Sequence, residues 1–384
     1  MKKYNLVAPN WDNQEIKAIN KVIKSGYFTI GKNVEEFEKK FSKKQNIKYS
    51  VMVNSGSSAN LLAIYSLFFL KKNPLKKGDE VIVPALSWST TYAPLEQLGL
   101  KIKIIDIDID TLNVNFDLLK NNITKNTKLI IAVSILGNPA DLLGIKNLCK
   151  KRKIHLMEDN CESLGAKLDG KNTGTFGMVN TNSFFFSHHI NTIEGGMVST
   201  DNEEVYHNLL CLREHGWTRR LPNSKFYKKS INYEDYNFVL PGFNLRPTEI
   251  NAAIGLVQLK KLNNFVKTRR ANMKYFQKLF SNNKYFHIQK ENGLSSSFAF
   301  TLVLKEPYKK LREKAVKELR KQNIEFRLIT GGSISLHPYI KHFNFKKTKL
   351  KVTEYIHKYG FFVGNHPKDL SKEIEHLSKV LKEI

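Results

Sequence analysis

Two adjacent histidines, His188 and His189, stand in the segment SFFFSHHINTIEGG, between an aromatic run and a Glu-Gly-Gly turn. An imidazole exchanges its proton near neutrality, so this pair is the first candidate for acid–base work. Read as a strand, the segment from Ser183 to Phe186 would send neighbouring side chains to opposite faces. Only one of the two histidines would then face a given pocket. Neither has an Asp or Glu three or four residues on, and no metal site is expected there.

Three further groups could do chemistry. Gly56-Ser57-Ser58 opens a helical pattern after the apolar Val51-Met52-Val53, where exposed amides and hydroxyls suit a phosphate monoester or simply cap a turn. Asp159 ends an apolar run in Met157-Glu158-Asp159-Asn160, the edge at which open α/β sheets keep their sites, although a surface carboxylate capping the next helix fits as well. Trp88 follows another strand-like run and, taken alone, reads as a core aromatic.

The elements that position these groups follow from periodicity. Asp12 to Glu15 reads as a capping box, with Ile16, Ile19, Val22 and Ile23 on one helical face and Gly26 as the C-cap. Val81-Val83, Ile102-Ile105, Leu129-Val133, Ile154-Met157, Ser183-Phe186 and Gly196-Ser199 read as strands, with helical stretches such as Asp141 to Lys150 between several of them. That alternation predicts an α/β fold with a mostly parallel central sheet and helices on both faces. A long helical pattern runs from Thr248 to Lys278, and the remainder forms a smaller C-terminal α/β domain. The expected division is 1–265 for the large domain and 266–384 for the smaller one.

Composition excludes several classes. The 384 residues, 41% of them hydrophobic, can bury a sizeable core. Cys149, Cys161 and Cys211 form no C-x-x-C pair and no disulfide framework. The net charge of +27 is spread along the chain in short clusters, Lys39-Lys40, Lys150 to Lys153 and Lys346-Lys347, so it reads as solvated surface and no nucleic-acid partner is expected. Met1 to Asp12 has no apolar leader core, and Leu61 to Leu70 is half of what a membrane span needs. A cytoplasmic protein without a membrane partner is expected.

Taken together, NSGSSANL, ALSWSTTYAP, EDNCESLGA, SFFFSHH, EGGMV, LREHGW and GFNLRPTEINAAIGLVQL resemble the DegT/DnrJ/EryC1/StrS family of nucleotide-sugar aminotransferases. The resemblance implies the fold type I architecture of pyridoxal-phosphate (PLP) enzymes. It also implies that Gly56, Ser57 and Ser183 hold the cofactor phosphate, Trp88 stacks on its ring and Asp159 pairs with the ring nitrogen. Glu162 lies where many members have glutamine near the cofactor. Asn244 would reach the phosphate in a neighbouring subunit, which implies a homodimer with shared sites. His215 and Arg219 become candidates for the substrate pocket.

One departure from the family bears on the reaction. Aminotransferases of this family carry a cofactor-binding lysine at the position of His188, and no lysine occurs between Lys171 and Lys225. With SHH, IEGG, GWTRRLP and FVLPGFNLRP around it, the chain resembles the family's branch of 3-dehydratases acting on GDP-linked 4-keto-6-deoxy sugars. The iron–sulfur CDP-linked branch carries cysteines after the region matching Leu212 to Trp217, and none stand here. The resemblance thus implies non-covalent PLP and pyridoxamine phosphate (PMP), L-glutamate as amino donor and His188 as acid/base. An aminotransferase tolerant of histidine and a non-catalytic basic binding protein are the alternative readings.

Overall fold

A computed structural model of the chain describes residues 3–228, 236–346 and 348–384. Lys347 of the basic pair and Met1 and Lys2 of the N-terminal stretch lie outside the described residues. Helix α1 (Asn13–Ser25) opens on the expected capping box and closes on Gly26, whose φ of 66° is left-handed. Helix α2 (Lys32–Gln45) follows, unread in the sequence because its apolar face is only Val34, Phe37 and Phe41 among charged residues.

An alternation of strand and helix then builds the large sheet. The elements are β1 (Tyr49–Val53), α3 (Gly56–Ser66), β2 (Glu80–Pro84), α4 (Ser89–Gln97), β3 (Lys101–Ile105) and α5 (Phe116–Asn122). They continue through β4 (Thr127–Val133), α6 (Leu142–Arg152) and β5 (His155–Asp159). A short hairpin, β6 (Lys167–Leu168) and β7 (Lys171–Asn172), precedes β8 (Val179–Ser183), β9 (Gly196–Thr200) and α7 (Glu203–Arg213). The 32-residue α8 (Glu249–Phe280) follows, capped by Thr248, and residues 265 and 266 both lie inside it.

The C-terminal stretch forms β10 (Phe286–His287), β11 (Ala299–Leu304), α9 (Arg312–Lys321), β12 (Phe326–Arg327), β13 (Phe345–Lys346), α10 (Lys351–Tyr359), β14 (Gly360–Gly364) and α11 (Ser371–Lys382). Among the described residues the large sheet has eight strands, ordered β1-β9-β8-β5-β4-β2-β3-β13. Only β9 runs against the rest, pairing antiparallel with both β1 and β8. A second sheet, β10-β11-β14-β12, is antiparallel throughout. The architecture is therefore the expected one, with β13 returning from the C-terminal stretch to the edge of the large sheet beside β3.

One expectation is corrected. The strand read over Ser183 to Phe186 ends at Ser183, where pairing with β9 stops at Gly196. Beyond it, the Phe184 amide donates to the Gly195 carbonyl and the Phe184 carbonyl accepts from Thr192, which closes a loop. A turn follows, with the His188 amide on the Phe185 carbonyl at 2.9 Å. The two histidines therefore sit on a turn, and strand alternation is not what separates them.

Candidate active site

Parallel strands deliver their carboxyl ends to one edge of the sheet, and the singled-out groups gather there. At the β1–α3 junction, the Ser55 side chain accepts the Ser58 amide and the Ser55 carbonyl accepts Ala59. The amides of Gly56 and Ser57 remain as the open donors of the first turn. Gly56 is pressed against the end of β8. A Cβ placed on it would lie 2.5 Å from Ser183 Cβ and 2.8 Å from Ser183 Oγ. The Ser57 hydroxyl donates to Thr90 Oγ1 of α4 at 3.0 Å, which ties two helix N-termini together.

Asp159 ends β5 and is buried. Its Oδ2 accepts from Asn60 Nδ2 at 3.0 Å and from Thr91 Oγ1 at 2.8 Å, and its Oδ1 accepts the Cys161 amide at 3.2 Å. Asn60 is in turn held by the Thr181 hydroxyl at 2.6 Å. The carboxylate is thus fixed from α3, α4 and β8 at once. Trp88, a core aromatic when read alone and a cofactor-stacking residue by the family resemblance, is 60% exposed. It stands at the N-cap of α4, with Gly331 of the C-terminal stretch against its ring. The strand places the residue at the sheet edge, where no core element covers an indole.

His188 Nδ1 lies 2.7 Å from the Cys161 carbonyl. A carbonyl only accepts, so Nδ1 carries the proton and Nε2 keeps the lone pair. Burial pushes His188 down to about 4; the Cys161 hydrogen bond and Asp159 act upward, while the cationic Arg269 acts downward. The ring is therefore neutral at pH 7. His189 is buried, with Nε2 donating to the Ser296 carbonyl at 3.1 Å and Nδ1 unpartnered. Both rings pack on Phe298, at centroid distances of 5.4 and 5.6 Å.

Glu162 accepts the Leu136 amide at 2.9 Å through Oε2. Burial, and then the nearby Asp159, push its carboxyl up to about 7 against that hydrogen bond. Asn244 is exposed, and its Oδ1 accepts from Arg246 Nε at 3.0 Å. The neighbouring Leu245 carbonyl receives the Asn54 amide, which seats this loop beside the β1–α3 turn. His215 is exposed with a left-handed φ of 64°, and the Arg219 guanidinium lies 5.0 Å over the Trp217 ring.

Gly56, Ser57, Asp159, Ser183 and His188 are thus joined by contacts or by chains of hydrogen bonds. His215 bonds instead to the Phe243 carbonyl through its amide, and Arg219 packs on Trp217. Asn60, Thr91, Thr181 and the Cys161 carbonyl orient the rest, and none of them stood out in the sequence on its own. Asn60 and Thr91 stand inside motifs already singled out, NSGSSANL and ALSWSTTYAP, four and three residues beyond Gly56 and Trp88.

The geometry fits a pyridoxal cofactor. A glycine cradle with two open amides suits the phosphate, an exposed indole suits the ring and a fixed carboxylate suits a protonated ring nitrogen. The comparisons with known proteins agree. The profile of the DegT/DnrJ/EryC1/StrS aminotransferase family matches residues 9–382. A GDP-4-keto-6-deoxy-D-mannose 3-dehydratase of Yersinia pseudotuberculosis is 50% identical, over 100% of this chain and 99% of that protein. Among solved structures, an H188N mutant of a GDP-4-keto-6-deoxymannose-3-dehydratase with bound GDP-perosamine superposes with a TM-score of 0.96 at 47% identity. The match covers 98% of this chain and 100% of that one. A structure of such a dehydratase with a trapped PLP–glutamate geminal diamine also gives 0.96, at 46% identity and the same coverage.

Proposed function

Since this chain belongs to the DegT/DnrJ/EryC1/StrS aminotransferase family, we propose that it is a PLP- and PMP-dependent nucleotide-sugar 3-dehydratase. Its substrate is a GDP-linked 4-keto-6-deoxy hexose and its product the 4-keto-3,6-dideoxy sugar. The observation that carries this reading is His188, hydrogen-bonded by Cys161 in a stretch without lysine from Lys171 to Lys225. The names of the similar dehydratases, one solved with GDP-perosamine and one with PLP–glutamate, support the GDP-linked sugar and glutamate as partners.

When bound, the cofactor supplies a carrier for the amino group of glutamate and a sink for electrons. The chain's own residues do the rest. Gly56, Ser57 and Ser183 hold the phosphate. Trp88 covers the ring, and Asp159, fixed by Asn60 and Thr91, holds the proton on the ring nitrogen. Glu162 stands beside Asp159 with a carboxyl that changes charge near neutrality.

A lysine would anchor the cofactor and move protons, whereas histidine can only move protons. His188 Nε2 takes a proton at carbon and returns it to the departing C3 hydroxyl, which leaves as water with the bonding electron pair. Over the cycle, glutamate is the reductant. One glutamate and one hydroxylated sugar give 2-oxoglutarate, ammonia and a sugar short of one oxygen.

A homodimer with shared sites is part of the proposal, with Asn244 serving the partner's cofactor phosphate and His215 and Arg219 the substrate. The large exposed apolar side chains Tyr27, Phe28, Trp88, Phe185, Phe186 and Ile193 support it. The division at 265/266 is proposed with α8 as a spine common to both parts.

The test is incubation with PLP, glutamate and a panel of nucleotide-linked 4-keto-6-deoxy sugars, with products read by mass spectrometry. Loss of one oxygen from the GDP-linked sugar is expected. No turnover, or an aminosugar as the sole product, overturns the reading.

A further inference from the structure

Arg269 is buried in the middle of α8 and lines the same cavity of about 70 Å³ as His188. Its Nη1 donates to two carbonyls, Phe298 at 2.9 Å and Asn365, and its Nε has no partner. Among the described residues, no carboxylate forms an ion pair with it. Phe298 is its link to His188. The guanidinium lies 5.7 Å over that ring, while His188 meets the ring edge-on at 5.4 Å. A full positive charge buried without a counter-ion is costly, and two backbone carbonyls and the Phe298 ring hold this one.

We propose that Arg269 is a positioning residue for the acid–base histidine, keeping His188 uncharged until it takes a proton and then driving that proton onward. The inference rests on the dehydratase reading for its catalytic meaning; the shared cavity and the shared Phe298 ring are what bring the two side chains together. A like charge close by disfavours the protonated imidazole. His188 therefore waits as a base. Once charged, it is a stronger acid than an isolated imidazolium and gives its proton to the leaving hydroxyl oxygen.

Other charged groups also face His188. Asp159, at the end of β5, opposes the effect. His189, on the same turn, and His366, after β14 and lining the same cavity, are buried imidazoles held neutral. Among these, Arg269 is the permanent cation.

The experiment is an NMR titration of the His188 ring in full-length, cofactor-free protein, for wild type, Arg269→Met and Arg269→Lys. Wild-type His188 is expected to titrate well below the ordinary imidazole value. Arg269→Met should raise the titration by on the order of one pH unit. Arg269→Lys, which keeps the charge and loses the fork on the two carbonyls, should leave it nearly in place. The acid limb of the dehydration pH profile should move with the NMR value. A purely structural arginine would give equal shifts in both variants, and that result overturns the proposal. So does an unchanged His188 in Arg269→Met. If Arg269→Met does not fold, an ordinary wild-type titration, or a raised one in Arg269→Lys, overturns it equally. Failure of the dehydratase reading would show as absent product with the titrations intact.

Discussion

The carbonyl of Cys161 holds Nδ1 of His188 at 2.7 Å, while the Cys161 amide rests on Asp159 Oδ1 at 3.2 Å. One residue thus sets the tautomer of His188 and ties it to the Asp159 carboxylate. The contact needs only backbone atoms of Cys161, so its thiol is not required for it.

His188→Asn keeps polarity and approximate size but cannot take a proton. It should bind cofactor and sugar, yet lose dehydration by about 10²–10⁴-fold. His189→Asn, altering a ring bonded to the Ser296 carbonyl, should have the smaller kinetic effect. His188→Lys should capture PLP covalently, visible as a shifted absorbance, and impair dehydration. An inactive His189 variant beside a fully active His188 variant would exchange the two roles.

Gly56→Ala should weaken PLP binding, because the added methyl meets Ser183 Cβ at 2.5 Å. Forcing room for it costs about 1–3 kcal/mol, or on the order of tenfold or more in affinity. Since the clash is with Cβ, a second change of Ser183→Ala should not relieve it, whereas Ser183→Gly should relieve it in part. Cofactor retention on dialysis, followed by absorbance, checks this. Equal recovery by both second changes would place the strain elsewhere.

The carboxyl of Glu162 carries a pH signature. Its folded value is raised to about 7, so the fold favours the protonated form. The stabilisation is fully present below the unfolded value near 4.5 and is lost as pH rises through about 7. Glu162→Gln keeps an acceptor for the Leu136 amide and removes the charge. It should raise the melting temperature of cofactor-free protein at pH 8 and change it little at pH 5. A variant less stable at pH 8 than wild type would show that the carboxylate is itself stabilised by its neighbours.

Much of this site was legible because its motifs fall where strands end. Val51-Met52-Val53 before Gly56, and the apolar run before Asp159, place both groups at one sheet edge by topology alone. The turn at His188 was not legible. Phe184, Phe185 and Phe186 all favour strands, and the ladder ends there because Phe184 bonds Thr192 and Gly195 and closes a loop, a pairing eight and eleven residues away in the chain. Read alone, Trp88 looked like a core aromatic because apolar character favours burial on average, and only the family resemblance placed it at an open site. Arg269 was invisible because its meaning comes from Phe298 and Asn365, 29 and 96 residues away in the chain. Helix α2 was missed because a narrow apolar stripe among lysines and glutamates resembles exposed loop composition.

In the proposed reaction glutamate reduces the sugar and leaves no nitrogen on it. Glutamate labelled in its amino nitrogen, with PLP and the GDP-linked 4-keto-6-deoxy sugar, tests this most directly. The label should appear as free ammonia, one equivalent for each 2-oxoglutarate formed and for each sugar that loses an oxygen. Label retained on a sugar that keeps its C3 hydroxyl would identify an aminotransferase and contradict the account.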